Sequence, residues 1–401
     1  IGDRETSIGS RQAHIFVSTG STSADVMTAP VLAELRRRGR LGSAVGIGGA
    51  PLAEQGVERM FDTTPLSAIG IAGSLAVIAR NAWEVLGAVR RAEAHFRRRR
   101  PDLVMAVDNP AHNIRLLRMA RRHRLRTLYY IPPELWSIFK PQVWNIVRSA
   151  DAIAPVFRVD AEGYRRWGGS VRFVGHPAPD LLAGTARPPD RPAGAPVIAL
   201  FPGSRSAEVR ALLPVLAGAA EIIAGRHPGA RFVMCSANET CDARIDAARP
   251  GWTVPVEVVR RRSREVLAGC DLLLTCSGTA TLEAAVLGVP MVVLYRLSNR
   301  IDRILAALLL GDYPYLALPN YLMRRQVVPE LREGAVSARR AADEALAVLE
   351  DPAGRKRMLA GLAEVREFLG GPGAIRRTAD LIEEMLDRPP GPVEGMRNAE
   401  G

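Results

Sequence analysis

The chain has 401 residues, 47% of them hydrophobic and 24% charged, which suits two globular domains of ordinary size. Its apolar runs are broken by Gly, Pro or Arg before they reach the length of a bilayer, and no basic-then-apolar leader opens the N-terminus, so a cytoplasmic location is expected. The 54 basic and 42 acidic residues leave a net charge of +12, and Lys140 and Lys356 are the two lysines, so the positive field is almost all guanidinium. With 5% aromatics and no nucleic-acid-binding motif, that field points to phosphorylated small molecules or an anionic membrane face, and no nucleic acid partner is expected.

Short apolar runs alternate with amphipathic stretches, the pattern of β-α units around parallel sheets. The first set of predicted strands is His14–Val17, Ala44–Ile47, Leu103–Val107, Thr127–Ile131, Ala152–Pro155 and Val171–Phe173. Between the second and third, the stretch from Leu66 to Arg100 carries Ile, Leu, Val and Trp83, then Arg90, Arg91 and Arg97 to Arg100. It reads either as a basic-flanked patch for an anionic membrane or as a core helix. The strand at Leu103 ends in Asp108-Asn109-Pro110, which puts a carboxylate at the rim of the sheet, where ligands of open parallel sheets bind. Asp108 there suits a general base, and a turn-forming Asp is the plain alternative. His112 stands close enough in sequence to tune or replace that base, or it simply starts a helix. His176, in "FVGHP", either touches a ligand or packs a domain junction.

The segment "AGTARPPDRPAGAP" marks a linker by its proline and glycine content. The expected organisation is an N-terminal domain over 1–182, a linker over 183–196, a second domain over 197–372, a C-terminal helix over 373–387 and a disordered tail over 388–401. In the second domain the predicted strands are Val197–Phe201, Arg231–Cys235, Leu272–Thr275 and Met291–Leu294, followed by helices at Ser337–Leu349, Pro352–Phe368 and Gly373–Leu386. Cys235, Cys241, Cys270 and Cys276 form no C-x-x-C pair and read as small buried residues without disulfides.

Two strand-to-helix corners of this second domain have the makings of an anion site. In "VIALFPGSRSAEVRALL" the strand ends in Gly203-Ser204-Arg205 and a helix opens at once, so backbone N–H groups and the helix dipole face the space beyond the strand. Ser204 can donate to an oxygen and Arg205 can give a phosphate two parallel hydrogen bonds. A plain turn capped by Ser204 explains the Gly and the Ser and leaves Arg205 optional. The second corner, Ser277-Gly278-Thr279, opens a helix that carries Glu283 about one turn on, suited to a ribose diol or simply a favourable first-turn acid. Together the corners suggest a site for a nucleoside diphosphate.

At this point the sequence resembles the lipid A disaccharide synthase family, glycosyltransferases of the GT-B fold. The resemblance rests on "LFPGSR" ending at Arg205, "SGTATLEA" from Ser277, "PMVVLYRL" from Pro290, "YLALPNYL" around Asn320, "VVPEL" ending at Leu331 and "RFVGHP" ending at Pro177. It implies an α/β architecture of GT-B type, with two Rossmann-like domains whose parallel sheets face a cleft, followed by a helical C-terminal segment. It also implies inverting transfer of 2,3-diacylglucosamine from UDP to 2,3-diacylglucosamine 1-phosphate, giving the β-1,6 lipid A disaccharide. The family's candidate base falls on Asp108 and its phosphate-binding arginine on Arg205. Ser277, Thr279 and Glu283 match its nucleotide-binding turn, and Arg296 and Asn320 match polar positions of its donor domain. The implied partners are a UDP-sugar donor, a lipid acceptor, the anionic inner face of the cytoplasmic membrane, and a second copy exchanging C-terminal segments. No cofactor or metal is expected, because Arg205 and helix N-termini can neutralise a leaving UDP and no acidic D-x-D pair is well placed.

The sequence departs from the family at three N-terminal places. "G-E-x-S-G-D" is Gly20-Ser21-Thr22-Ser23-Ala24-Asp25; "D-x-P-D-F-N" carries Ala111, His112 and Asn113; and "Y-V-S-P-S-V-W-A-W" is the run from Tyr130 to Ile138. A related transferase acting on a different lipid or glycan is therefore the main alternative. A UDP-sugar 2-epimerase would release an epimerised sugar nucleotide without acceptor, and a non-catalytic relative would bind UDP without transfer or hydrolysis.

Overall fold

The computed structural model describes residues 11–62, 75–135, 140–185, 195–296 and 314–388. The predicted tail after Arg388, Trp83, Trp136 and most of the linker segment lie outside the described residues or side chains. The chain forms two compact units. One holds Ile1–Thr64, Ala79–Gly175 and Gly373–Gly401, the other Pro65–Ile78 and His176–Pro372.

The first unit runs β1 (Ala13–Ser18), α1 (Thr22–Arg37), β2 (Leu41–Ile47), α2 (Ala50–Glu54), β3 (Val57–Phe61), α3 (Leu75–Arg99, of which residues 79–99 belong here), β4 (Leu103–Val107), α4 (Pro110–Arg122), β5 (Thr127–Tyr130), α5 (Lys140–Ser149), β6 (Ala152–Ala154) and α6 (Arg158–Arg166). Its strands pair in parallel in the order β3-β2-β1-β4-β5-β6. β4 and β5 are buried along their whole lengths, as expected of central strands covered on both faces. On α3, Ala88, Val89, Ala92 and Phe96 recur at helical spacing and are buried, with Phe96 meeting Phe16 edge-on at a centroid distance of 4.9 Å. This second half of the Leu66–Arg100 stretch is thus a core-facing amphipathic helix; residues 66–74, which begin it, lie outside the described residues.

The second unit runs α7 (Ala178–Leu181), β7 (Val197–Phe201), α8 (Ser206–Arg226), β8 (Arg231–Ser236), α9 (Glu239–Ala248), β9 (Val256–Arg260), α10 (Ser263–Gly269), β10 (Leu272–Cys276), α11 (Ala280–Leu287), β11 (Met291–Tyr295), α12 (Leu318–Met323), β12 (Glu330–Arg332), α13 (Ala338–Glu350) and α14 (Pro352–Phe368). Its strands are again parallel, in the order β12-β11-β10-β7-β8-β9. All four cysteines are free, with three buried and Cys276 half-buried. The last helix, α15 (Ala374–Asp387), returns to the first unit and lies along α1. There Arg38 bonds Asp380 at 2.6 Å and Glu383 at 2.8 Å, Arg40 pairs with Asp387, and Arg377 Nε donates to the Val174 carbonyl at 2.8 Å.

Every strand expected from the sequence forms except Val171–Phe173, where a lone bridge joins Val171 to Ile153. The strands that the sequence pattern does not reveal are β3, β9 and β12, and each lies at the edge of its sheet. In β3 and β9 the first residue is buried and the other four are exposed or half-buried, and β12 has three residues, so none presents the continuous apolar run of a central strand.

A buried carboxylate ties two corners of the first unit together. Thr19 Oγ1 donates to Asp25 Oδ1 at 2.5 Å, and the Gly49 N–H donates to Asp25 Oδ2 at 3.0 Å, joining the β1–α1 turn to the β2–α2 turn. Burial outweighs these bonds and raises the Asp25 pKa from 3.8 to about 6. The folded protein therefore holds this proton more tightly than the unfolded chain. The resulting stabilisation is complete below about pH 4 and is lost as pH rises through 6. Asp25→Asn can keep both partners and carries no charge at any pH. Chemical denaturation at pH 7.5 should find it more stable than wild type by about 2–3 kcal/mol, the value of a two-unit shift. The difference should close toward pH 4, and a pH-independent difference would contradict the account.

Candidate active site

In the second unit β7 comes first in the chain yet lies at the centre of its sheet, between β8 and β10, so the strand order reverses on its two sides. Such a reversal opens a crevice at the carboxyl ends of the strands. Phe201 on β7 pairs with Thr275 on β10, which sets the Gly203 and Gly278 corners side by side across that crevice. Gly203 has φ +113°, and a Cβ there would stand 2.5 Å from Glu208 Oε2 and 3.1 Å from Cys276 Sγ, so glycine is required.

The carbonyls of the first corner are held from behind. Asn238 Nδ2 donates to the Ser204 carbonyl at 2.8 Å, and Asn238 Oδ1 caps α9 by accepting from the Cys241 N–H at 3.0 Å. The corner's N–H groups meet a residue that sequence reading did not single out. The N–H groups of Ser204 and Arg205 both donate to Glu208 Oε2 at 3.1 Å, and Arg205 Nη1 reaches Glu208 Oε1 at 3.1 Å. The signal available for this capping acid was its place three residues after Arg205, the N-cap of α8.

At the second corner Ser277 Oγ donates to the Leu316 carbonyl at 2.7 Å, and Thr281 Oγ1 donates to the Gly278 carbonyl at 2.7 Å. A side chain at Gly278 would meet nothing within 4 Å, so the backbone there is open to a ligand. α11 begins at Ala280, with Thr279 as its N-cap. Glu283 sits in its first turn, 3.9 Å from Arg264 Nε, and burial raises its pKa. Arg296 is exposed just past β11.

Asn320 takes a different place from a surface polar contact. It is fully buried, Oδ1 accepts from the N–H groups of Val327 at 2.7 Å and Val328 at 2.9 Å, and Nδ2 donates to the Val328 carbonyl at 2.9 Å. Glu330, also missed in the sequence, receives the N–H groups of Leu316 and Ala317 at 2.9 Å each, and Leu316 in turn accepts from Ser277. Asn320 and Glu330 thereby fix the segment against which the second corner rests. Asn320→Ala leaves two N–H groups and a carbonyl buried without partners, at about 1–3 kcal/mol each before relaxation. Thermal and urea unfolding should show a loss of about 3 kcal/mol or more; a loss under 1 kcal/mol would mean that water replaces the amide.

The first unit has its own reversal between β1 and β4. There Asp108 and Asn109 adopt φ of 54° and 23°, left-handed values that cost about 1–3 kcal/mol each for residues other than glycine. The strained turn is held by many bonds. The Asp108 carbonyl accepts from Tyr129 Oη at 2.8 Å and from Asn113 Nδ2 at 3.0 Å. Its side-chain Oδ2 accepts from Ser21 Oγ at 3.0 Å, and Ser21 Oγ also caps α1 by accepting from the Ala24 N–H at 3.2 Å. Gly20 fits only as glycine, because a Cβ would stand 2.3 Å from that of Asn109.

His112 is buried one turn into α4 and bonds the Thr19 backbone, and burial lowers its pKa to about 4. A neutral imidazole of that low basicity is a poor proton acceptor at neutral pH. His176 is also buried with a pKa lowered to about 4; its Nδ1 accepts from the Ala178 N–H at 3.1 Å and its own N–H donates to the Leu369 carbonyl at 3.0 Å. It packs the start of α7.

A family model for lipid-A-disaccharide synthetase matches residues 15–370. The chain belongs to the lipid-A-disaccharide synthase family. It is 35% identical over 384 residues to the lipid-A-disaccharide synthase of Geobacter sulfurreducens, covering 93% of this chain and 97% of that one. It is likewise 35% identical over 385 residues to the synthase of Myxococcus xanthus, covering 94% and 98%. As a family member it is a UDP-sugar glycosyltransferase of lipid A biosynthesis. Among solved structures, MurG of Acinetobacter baumannii is similar at TM-score 0.58 and 15% identity, covering 93% of this chain and 99% of that one. The S. aureus MnaA–UDP structure is similar at TM-score 0.64 and 14% identity, covering 94% and 97%. At these identities the likeness is one of fold, and it fits the two parallel sheets of a GT-B protein. Among the described residues, no helix is long and apolar enough to cross a membrane.

Proposed function

We propose that the synthase transfers 2,3-diacylglucosamine with inversion from its UDP carrier to the 6-hydroxyl of 2,3-diacylglucosamine 1-phosphate, forming the β-1,6 disaccharide and releasing UDP. The observation that carries this reading is the pair of corners at Gly203 and Gly278, side by side at the strand-order reversal of one sheet. Ser204, Arg205 and the backbone around Gly278 and Thr279 hold the diphosphate, Glu283 takes the ribose, and Arg296 lies at the rim. Asn320 supports the site from behind. Positive charge from Arg205 and the two helix starts takes up the charge that grows on the leaving UDP, so the transfer proceeds without metal. Asp108, oriented by Ser21 Oγ, removes the proton from the attacking hydroxyl.

The same reading has the enzyme work at the inner face of the cytoplasmic membrane, where acceptor and donor both carry acyl chains. A homodimer with exchanged C-terminal segments belongs to it, since an α15 from a second copy could make the same bonds to Arg38 and Arg40. The altered run around Ser21 to Asp25 and at Ala111 and His112 supports a second reading, in which the acceptor is another lipid or glycan. The deciding assay supplies the UDP-diacylglucosamine donor with diacylglucosamine 1-phosphate and follows the disaccharide and UDP by mass. UDP release only with a different acceptor would select the second reading, and an epimerised sugar nucleotide would refute both.

A further inference from the structure

Resting on the nucleotide reading above, one contact has a consequence for how the diphosphate is held and let go. The first corner offers three donors toward the crevice side: the N–H groups of Ser204 and Arg205 and the Arg205 guanidinium. All three are engaged by one carboxylate, with Glu208 Oε2 at 3.1 Å from each nitrogen of the backbone pair and Oε1 at 3.1 Å from Nη1. Two oxygens of one anionic group thus take the donors that a phosphate would take, with the same charge sign and the same forked geometry. We infer that Glu208 is an internal competitor for the diphosphate, which must turn its carboxylate out of the corner to bind and which the carboxylate helps to expel after transfer.

The surroundings allow such an exchange. The corner cannot rotate its N–H groups away, because the Ser204 carbonyl is bonded to Asn238 Nδ2 at 2.8 Å and the Gly203 and Ser204 carbonyls both lie against Cys241 Sγ. The donors keep their direction whichever anion they serve. Glu208 stands in the first turn of α8 with its side chain 24% exposed, so rotation about its side-chain bonds carries the carboxylate to water without moving the helix. Arg205, at 59% exposed, can follow the phosphate. A helix-capping acid with no part in binding would also bond the Ser204 and Arg205 N–H groups, so the two roles must be told apart by ligand affinity rather than by stability.

Calorimetric titration of the full chain with UDP, UMP and uridine, for wild type, Glu208→Gln and Glu208→Ala, separates them. Glutamine keeps an oxygen for the backbone N–H groups and removes the charge; alanine removes both and guards against a new bond made by the amide. The expected result is about tenfold tighter UDP binding in both variants, a smaller gain for UMP and no change for uridine, which has no phosphate to compete. UDP affinity in the variants equal to or below that of wild type would overturn the competitor role, and weaker UDP with unchanged uridine would make Glu208 a positioning residue for Arg205 instead. Wild type that binds no UDP would refute the nucleotide reading itself, which the variants do not test.

Discussion

Asp108→Asn is expected to lower the rate of sugar transfer about a thousandfold while leaving the KM for the UDP-sugar within about threefold of wild type. General-base catalysis contributes about 10²–10⁴ in rate, and asparagine keeps the size and the Ser21 contact while losing the ability to take a proton. The effect should fall on kcat because the proposed diphosphate site, at the Gly203 and Gly278 corners, does not include Asp108. Two controls sharpen it. Circular dichroism and the unfolding midpoint should match wild type, since the strained turn is held through the Asp108 carbonyl by Tyr129 and Asn113, which the substitution leaves in place. Ser21→Ala should cost less, about tenfold, because it removes the oriented hydroxyl and keeps the carboxylate. Asp108→Asn with more than a tenth of wild-type activity would remove Asp108 as the base.

Arg205→Ala should weaken UDP binding by about a hundredfold or more, the worth of one or two charge-assisted hydrogen bonds at about 1.5–3 kcal/mol each. It should also reduce kcat, because charge on the leaving diphosphate is greatest in the transition state. Arg205→Lys should recover part of the binding and less of the rate, since a single ammonium cannot make the two parallel bonds of a guanidinium. Uridine affinity should not change in either variant. Equal losses for UDP and uridine would mean that Arg205 shapes the corner instead of contacting phosphate. The bonds from Glu208 to the Ser204 and Arg205 N–H groups persist without the Arg205 side chain, so the corner itself is expected to survive the substitution.

What could be read from the sequence follows from how each feature encodes itself. The central strands are apolar on both faces, and the Gly203 and Gly278 corners combine a strand end, a glycine and a helix start within a few residues, so local pattern alone marks them. Edge strands such as β9, whose "VEVVR" is half exposed, carry no such mark. The partners of the marked residues were harder to see, because they depend on which segments meet in space. Ser21 reaches Asp108 across 87 positions, and Ser277 reaches Leu316 across 39. Glu208 is only three residues from Arg205, yet its spacing reads equally well as an ordinary cap. Asn320 was legible as a polar position within its motif, but its full burial and its bonds to Val327 and Val328 are properties of the folded segment.

The path of α15 bears on how the polypeptide comes to be folded. Residues 176–372 make up most of one compact unit, which residues 65–78 complete, and they interrupt the chain of another whose closing helix arrives only after residue 373. During synthesis the interrupting unit can therefore reach its final form while the earlier-made sheet still waits for the piece that covers α1 and satisfies Arg38. A chain cut short near residue 372 would lack the helix that covers α1 and would expose apolar surface there, a natural substrate for chaperones and proteases.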